Sequence, residues 1–121
     1  KILSKAKLFI HDSNGTGFLE TIFYNLPTIV LLDKKCETFR KSSKNLIKLL
    51  EKKKIIHYNA NSAAKFINMN YNNIEKGWFN KDLQFVRKKF CLQYIRQTNN
   101  PGTELKNILN NVNNKYLKME K

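Results

Sequence analysis

The chain has 121 residues, 41% of them hydrophobic, and a formal net charge of +14. That length supports one small domain with a single core. No run approaches the roughly 18 apolar residues a membrane-spanning helix needs, nothing resembles a signal peptide, and the basic residues fall in nearly every segment instead of on one face, which argues for solvated faces and against a nucleic-acid reader.

Residues 1–6 read as the end of a helix, and residues 7–11 as a buried strand of a parallel sheet covered on both faces. A small polar loop leads into a helix over 16–25 whose apolar arc is Phe18, Leu19, Ile22, Phe23 and Leu26, with Thr16, Glu20 and Tyr24 on a different arc. Pro27 blocks further helix, and Thr28 to Leu32 reads as the next strand. A long helix is expected over 37–53, irregular near Ser42-Ser43, followed by a short β-prone run at Ile55-Ile56-His57-Tyr58. Asn59 or Asn61 can cap a helix through about Met69. The Asn-rich residues 70–80 read as a loop anchored by Ile74, Trp78 and Phe79. Asn80 can cap a helix over 81–96, and Asn100-Pro101 opens a last helix along Leu105, Ile108, Leu109, Val112 and Tyr116.

Strand and helix alternate through residue 69 and helices follow, which predicts an α/β unit with a helical C-terminal extension. Three strands make a thin sheet, and the chain opens on Lys-Ile-Leu. Both features lead to the expectation that residues 1–121 are a single domain from the C-terminal part of a longer protein.

The richest segment is His11-Asp12-Ser13-Asn14-Gly15-Thr16-Gly17-Phe18-Leu19-Glu20. A polar loop that opens a helix leaves backbone N–H groups unpaired, and the positive end of the helix dipole adds to them, so the place suits a phosphate. In open α/β sheets ligands bind beyond the carboxyl ends of the strands, where this loop lies. Gly15 and Gly17 let backbone approach a diphosphate, while Ser13, Asn14 and Thr16 add side-chain donors. Glu20, four residues after Thr16, lies on the same side of the first turn and can reach hydroxyls of a ligand held there. The plainer reading is that Ser13 or Asn14 caps the helix and the glycines make a tight turn. The segment is neither the dinucleotide G-x-G-x-x-G pattern nor a P-loop.

Other residues converge on the same sheet edge. His11 can bond a phosphate or a sugar hydroxyl, or satisfy a local hydrogen bond. After the second strand, Arg40 can pair with a phosphate and Glu37 with hydroxyls, or the segment is simply a solvated helix start. His57 is expected to be structural. Cys36 and Cys91 have neither metal nor redox spacing, so no bound metal is expected and a reducing cytoplasm is the default compartment.

Ser13, then Glu20 seven positions on, then Asn25-Leu26-Pro27-Thr28-Ile29 resembles a motif of GT-B glycosyltransferases, with Asn25 where many members have Gly and a loop that departs from their Gly-Gly form. A longer pattern is similar to the C-terminal region of bacterial transferases of surface-carbohydrate and lipopolysaccharide biosynthesis. It comprises Asn14-x-x-x-Phe18-Leu19-Glu20-Thr21, Leu26-Pro27-Thr28-Ile29, Phe39-Arg40, Trp78, Arg87-Lys88-Lys89-Phe90-Cys91 and Glu104-Leu105.

The resemblance implies a Rossmann-like parallel-sheet half of a GT-B fold and a nucleotide-activated sugar as substrate, with no further cofactor. Ser13, Asn14, Gly15, Thr16 and Gly17 would hold the donor diphosphate and Glu20 its ribose or sugar hydroxyls, with His11, Glu37 and Arg40 as accessories. The general base would come from a missing N-terminal half, leaving this piece inactive alone, in the cytoplasm or at the inner face of the membrane as a peripheral partner. Three alternatives remain: a nucleotide-sugar epimerase of the same architecture, a basic module that binds nucleic acid or a membrane surface, and a non-catalytic domain that keeps the fold for partner contacts.

Overall fold

The computed structural model of the chain describes residues 5–36 and 38–119. Three short parallel strands form one sheet in the order β1 (Phe9–His11), β2 (Thr28–Leu31), β3 (Ile56–His57). Phe9 pairs with Thr28 and His11 with Val30; Val30 also pairs with Ile56 and Leu31 with His57. Parallel strands need crossovers, which α1 (Thr16–Phe23) and α2 (Lys44–Lys52) supply. After β3 come α3 (Ala60–Asn70), α4 (Ile74–Trp78), α5 (Lys81–Tyr94) and α6 (Pro101–Met119). The expected α/β class and helical extension are present, and the sheet is compatible with a Rossmann-like half.

The core lies between the sheet and the helices α1, α2 and α5. Phe18 and Ile22 come from α1, Leu46, Ile47 and Leu50 from α2, and Val86 and Phe90 from α5; they close on Val30, Leu32 and Ile56. Phe18 and Phe90 meet edge to face at 6.0 Å. Successive residues of a strand point to opposite faces, and both Ile29 and Val30 are buried, so central β2 is covered on both sides. β1 is not: as the edge strand it leaves Ile10 56% exposed, which corrects the expectation of cover on both faces.

Both crossover helices end in the same device. Asn25 and Lys54 adopt left-handed backbone, with φ of 58° and 61°. Asn25 N–H donates to the Ile22 carbonyl at 3.1 Å and Leu26 N–H to Thr21 at 3.0 Å; Lys54 donates to Glu51 at 2.9 Å and Ile55 to Leu50 at 3.0 Å. These are paired Schellman closures, which satisfy the last carbonyls of a helix and turn the chain directly into the following strand. The helix expected over 16–25 therefore stops short of Pro27.

Expectations for two other segments are corrected. Residues 38–40 are not helical and α2 starts only at Lys44, after a 3₁₀ turn at Lys41–Ser43. Residues 70–80 hold a 3₁₀ turn and α4 in place of a loop: Ile74 and Trp78 are buried as expected, but Phe79 is exposed. Most of the helix tail expected at 1–6 lies outside the described residues. The caps fall as read, with Asn59 Oδ1 accepting from Ser62 N–H at 2.7 Å and Asn80 Oδ1 from Asp82 N–H at 3.0 Å. Among the described residues α6 packs on no other element, its tie being an Arg96–Glu104 ion pair of 3.2 Å. No helix among them is long and apolar enough to cross a membrane.

Candidate functional site

The loop after β1 emerges at the carboxyl edge of the sheet and enters α1 through Gly15, the N-cap residue, with φ −75° and ψ −166°. Gly15 has no side chain to bond the first N–H groups, and no acidic residue stands in the first turn. The positive end of the α1 dipole is thus uncompensated by charge, the condition that favours an anion. Asp12, Ser13, Asn14, Gly15, Thr16 and Gly17 are all exposed. No glycine has positive φ among the described residues, so neither Gly15 nor Gly17 makes a left-handed turn.

Behind the loop, His11 is a brace. Its Nε2 lies 3.0 Å from Oγ1 of buried Thr21, and that hydroxyl sits 3.2 Å from the carbonyls of Gly17 and of Phe18. The hydroxyl has one proton for those carbonyls, so the imidazole Nε2–H donates to it. The His11 ring also meets Phe18 edge to face at 6.1 Å, and a Cβ on Gly17 would stand 3.4 Å from its Cε1. Strand end and helix start are therefore locked together through His11, whose Nε2 is engaged with Thr21.

A cavity of about 300 Å³ opens at this edge, and its lining joins Asn14 from the first loop to Phe39 and Arg40 from the second. Its walls are apolar, with Leu19, Leu32, Ile47 and Phe90. A hydrogen bond from the Tyr94 hydroxyl to Ser43 Oγ ties α5 to the 3₁₀ turn on the same lining. A larger cavity of about 410 Å³ lies at the opposite, amino edge, between Leu8, Pro27, Lys53, Ile55 and Trp78. Size would favour the latter, but ligands of open α/β sheets bind at the carboxyl edge, and only the smaller one reaches the loop.

The structure thus brings Asn14 and Arg40 to one cavity, with exposed Arg40 at its polar end. Glu20 does not line it. Its carboxylate projects from the exposed side of α1 and makes no hydrogen bond or ion pair among the described residues. Glu37 lies outside the described residues. Two partners escaped the sequence reading. Thr21 could have been noticed as a hydroxyl on the buried arc of α1, whereas the Ser43–Tyr94 pair, 51 residues apart, left no local signal.

His57 and Cys91 are structural. His57 is 3% exposed; its Nε2 lies 2.9 Å from the Lys54 carbonyl and its Nδ1 3.2 Å from Ser62 Oγ. A carbonyl only accepts, so Nε2 carries the proton and Nδ1 accepts from the serine. Burial pushes the His57 pKa below its ordinary 6.5, outweighing the Lys54 carbonyl bond. His11 is lowered too, by burial, against the charge of Asp12. Groups lowered in the fold bind fewer protons there than in the unfolded chain, so their contribution is complete above about pH 6.5 and is lost as the pH falls below it. The urea midpoint should therefore drop between about pH 7.5 and about pH 5, and drop less in His57→Gln. Burial raises the Cys91 thiol pKa against the opposing Arg87 charge, in keeping with its packing against the core. No cluster of three or more His, Cys, Asp or Glu among the described residues could hold a metal.

Fold and site together define a small α/β unit with a parallel sheet and, at its carboxyl edge, an exposed helix start with no acidic residue in its first turn. A family model described as LIC12162 family transferase matches residues 1–109, and the chain belongs to that family of transferases. Neither a curated protein nor a solved structure matches the chain.

Proposed function

We propose that this chain is the donor-binding part of a GT-B-like glycosyltransferase that uses a nucleotide-activated sugar in surface-polysaccharide or lipopolysaccharide synthesis. The observation that carries the reading is that Asn14, from the loop that opens α1, and Arg40 line one apolar-walled cavity at the carboxyl edge, next to a helix start with no acidic residue in its first turn. A nucleoside diphosphate has the matching parts: a diphosphate for the N–H groups and guanidinium, and a flat base for the wall with Phe39.

In glycosyl transfer the sugar gains oxocarbenium character while negative charge grows on the departing phosphate. N–H groups and a dipole already aimed at that position stabilise the charge without reorganising. Arg40 adds a full positive charge with a forked donor geometry suited to phosphate oxygens. Glu20, exposed beside the loop, accepts from ribose or sugar hydroxyls. The general base for the acceptor lies elsewhere in the enzyme.

Glu20→Ala in the intact protein should reduce donor affinity or kcat/KM by about tenfold or more. A thermal-shift series with UDP-, GDP-, CMP- and CDP-sugars identifies the donor beforehand. Unaltered kinetics in Glu20→Ala would remove Glu20 from the site, and no protection by any of the four donors would defeat the proposal.

A further inference from the structure

The α5 helix buries Val86 and Phe90 in the core and turns another face outward. On that face stand Lys81, Phe85, Lys88, Lys89 and Leu92, at spacings of four, seven, eight and eleven from the first, which keep them within one arc of the helix. All five are exposed, and the two apolar ones extremely so: Phe85 is 63% and Leu92 87% accessible. Nothing in the core requires them to be apolar. The Lys89 ammonium lies 5.6 Å from the Phe85 ring centre, so cation and aromatic ring form one patch. Asp82, the acidic residue at the edge of the arc, is paired with Lys53 at 3.6 Å.

We propose that this face of α5 docks on an anionic lipid surface, an interaction separate from the donor-site reading. Three ammonium groups alternate with two projecting apolar side chains on a straight helix of 14 residues, about 21 Å long. Such a row lies flat on a membrane: the lysines meet lipid phosphates while Phe85 and Leu92 enter the boundary between headgroups and acyl chains. A second copy of the chain fits worse, because pairing this face with itself sets lysine rows against each other. A nucleic acid would use the lysines and could stack on Phe85, but it offers nothing to Leu92.

The test is co-sedimentation of the 121-residue chain with phosphatidylcholine vesicles, with and without about 30% phosphatidylglycerol. Binding is expected only to the anionic vesicles, weakening about fivefold for each of Lys88→Gln and Lys89→Gln. The double variant Phe85→Ser, Leu92→Ser alters two exposed positions and leaves the core intact; it should lose about tenfold or more while keeping its melting temperature. The proposal is overturned if the anionic vesicles fail to bind the chain. It is equally overturned if the double variant binds them as well as the parent, if neutral vesicles bind the parent equally, or if single-stranded RNA competes the parent off them completely.

Discussion

Trp78→Ala should destabilise the chain by about 3–5 kcal/mol, measured as the shift of a urea unfolding curve at constant m. The indole is 4% exposed and belongs to the core cluster with Ile22, Val30 and Val86, so truncation leaves a large apolar void. Its Nε1–H also donates to both Asn25 oxygens, the carbonyl at 3.1 Å and Oδ1 at 2.8 Å, while its own carbonyl accepts from Gln84 Nε2 at 2.9 Å. Trp78→Phe separates the two contributions. It retains most of the buried area and removes the N–H donor, and should cost about 1–2 kcal/mol, the range for losing one hydrogen bond at a partly buried site. Equal losses in the two variants would show that the hydrogen bonds, not the packing, dominate.

Asn25→Ala should cost about 2–4 kcal/mol, from two independent causes. At φ 58° an alanine bears the crowding of left-handed backbone, about 1–2 kcal/mol, which asparagine tolerates better. The substitution also deletes Oδ1, which accepts from Trp78 and, at 3.0 Å, from Gln84 Nε2. Asn25→Gly removes the same acceptor but adopts left-handed backbone freely, so it should be less harmful than Asn25→Ala by about 1 kcal/mol. The reverse order would mean that the turn is not under conformational strain. Arg87 completes this junction by donating from Nη1 to the Ile22 carbonyl at 2.8 Å and from Nε to Gln84 Oε1 at 3.0 Å. A guanidinium at the C-terminal carbonyls of α1 also complements the helix dipole. The junction holds the far end of the helix whose first turn forms the candidate site, so it fixes the direction in which those N–H groups point.

Much of this was legible in the residues. The apolar arc of α1, the caps Asn59 and Asn80, the anchoring of Trp78 and the strand at Thr28 to Leu31 all follow from local periodicity or local hydrogen bonding, which a short window of sequence contains. The helix ends were harder. Left-handed closure is signalled by glycine, and here Asn25 and Lys54 occupy those positions, so the signal was missing where the turn was present. The helix expected over 37–53 overran because Phe39 satisfies a helical apolar pattern while in fact packing against the core from non-helical chain. At Asn25 the position needs left-handed backbone, and the side chain adds an acceptor that glycine would lack.

By itself the sequence determined the alternation of strand and helix, the polar loop at a strand's end, the exposure of Glu20 and membership of a transferase family over residues 1–109, because each depends on neighbouring residues or on a linear pattern. Only the tertiary structure decided that Asn14 and Arg40 share a cavity, that His11 spends its Nε2–H on Thr21, and that Asn25, Trp78, Gln84 and Arg87 meet at one junction. Asn25 and Trp78 are 53 residues apart, and Arg87 is 65 from Ile22. Such contacts form once the sheet has fixed the order of its strands and burial has chosen which faces of α1 and α5 turn inward, and that choice is made by packing, not by any residue's own conformational preference.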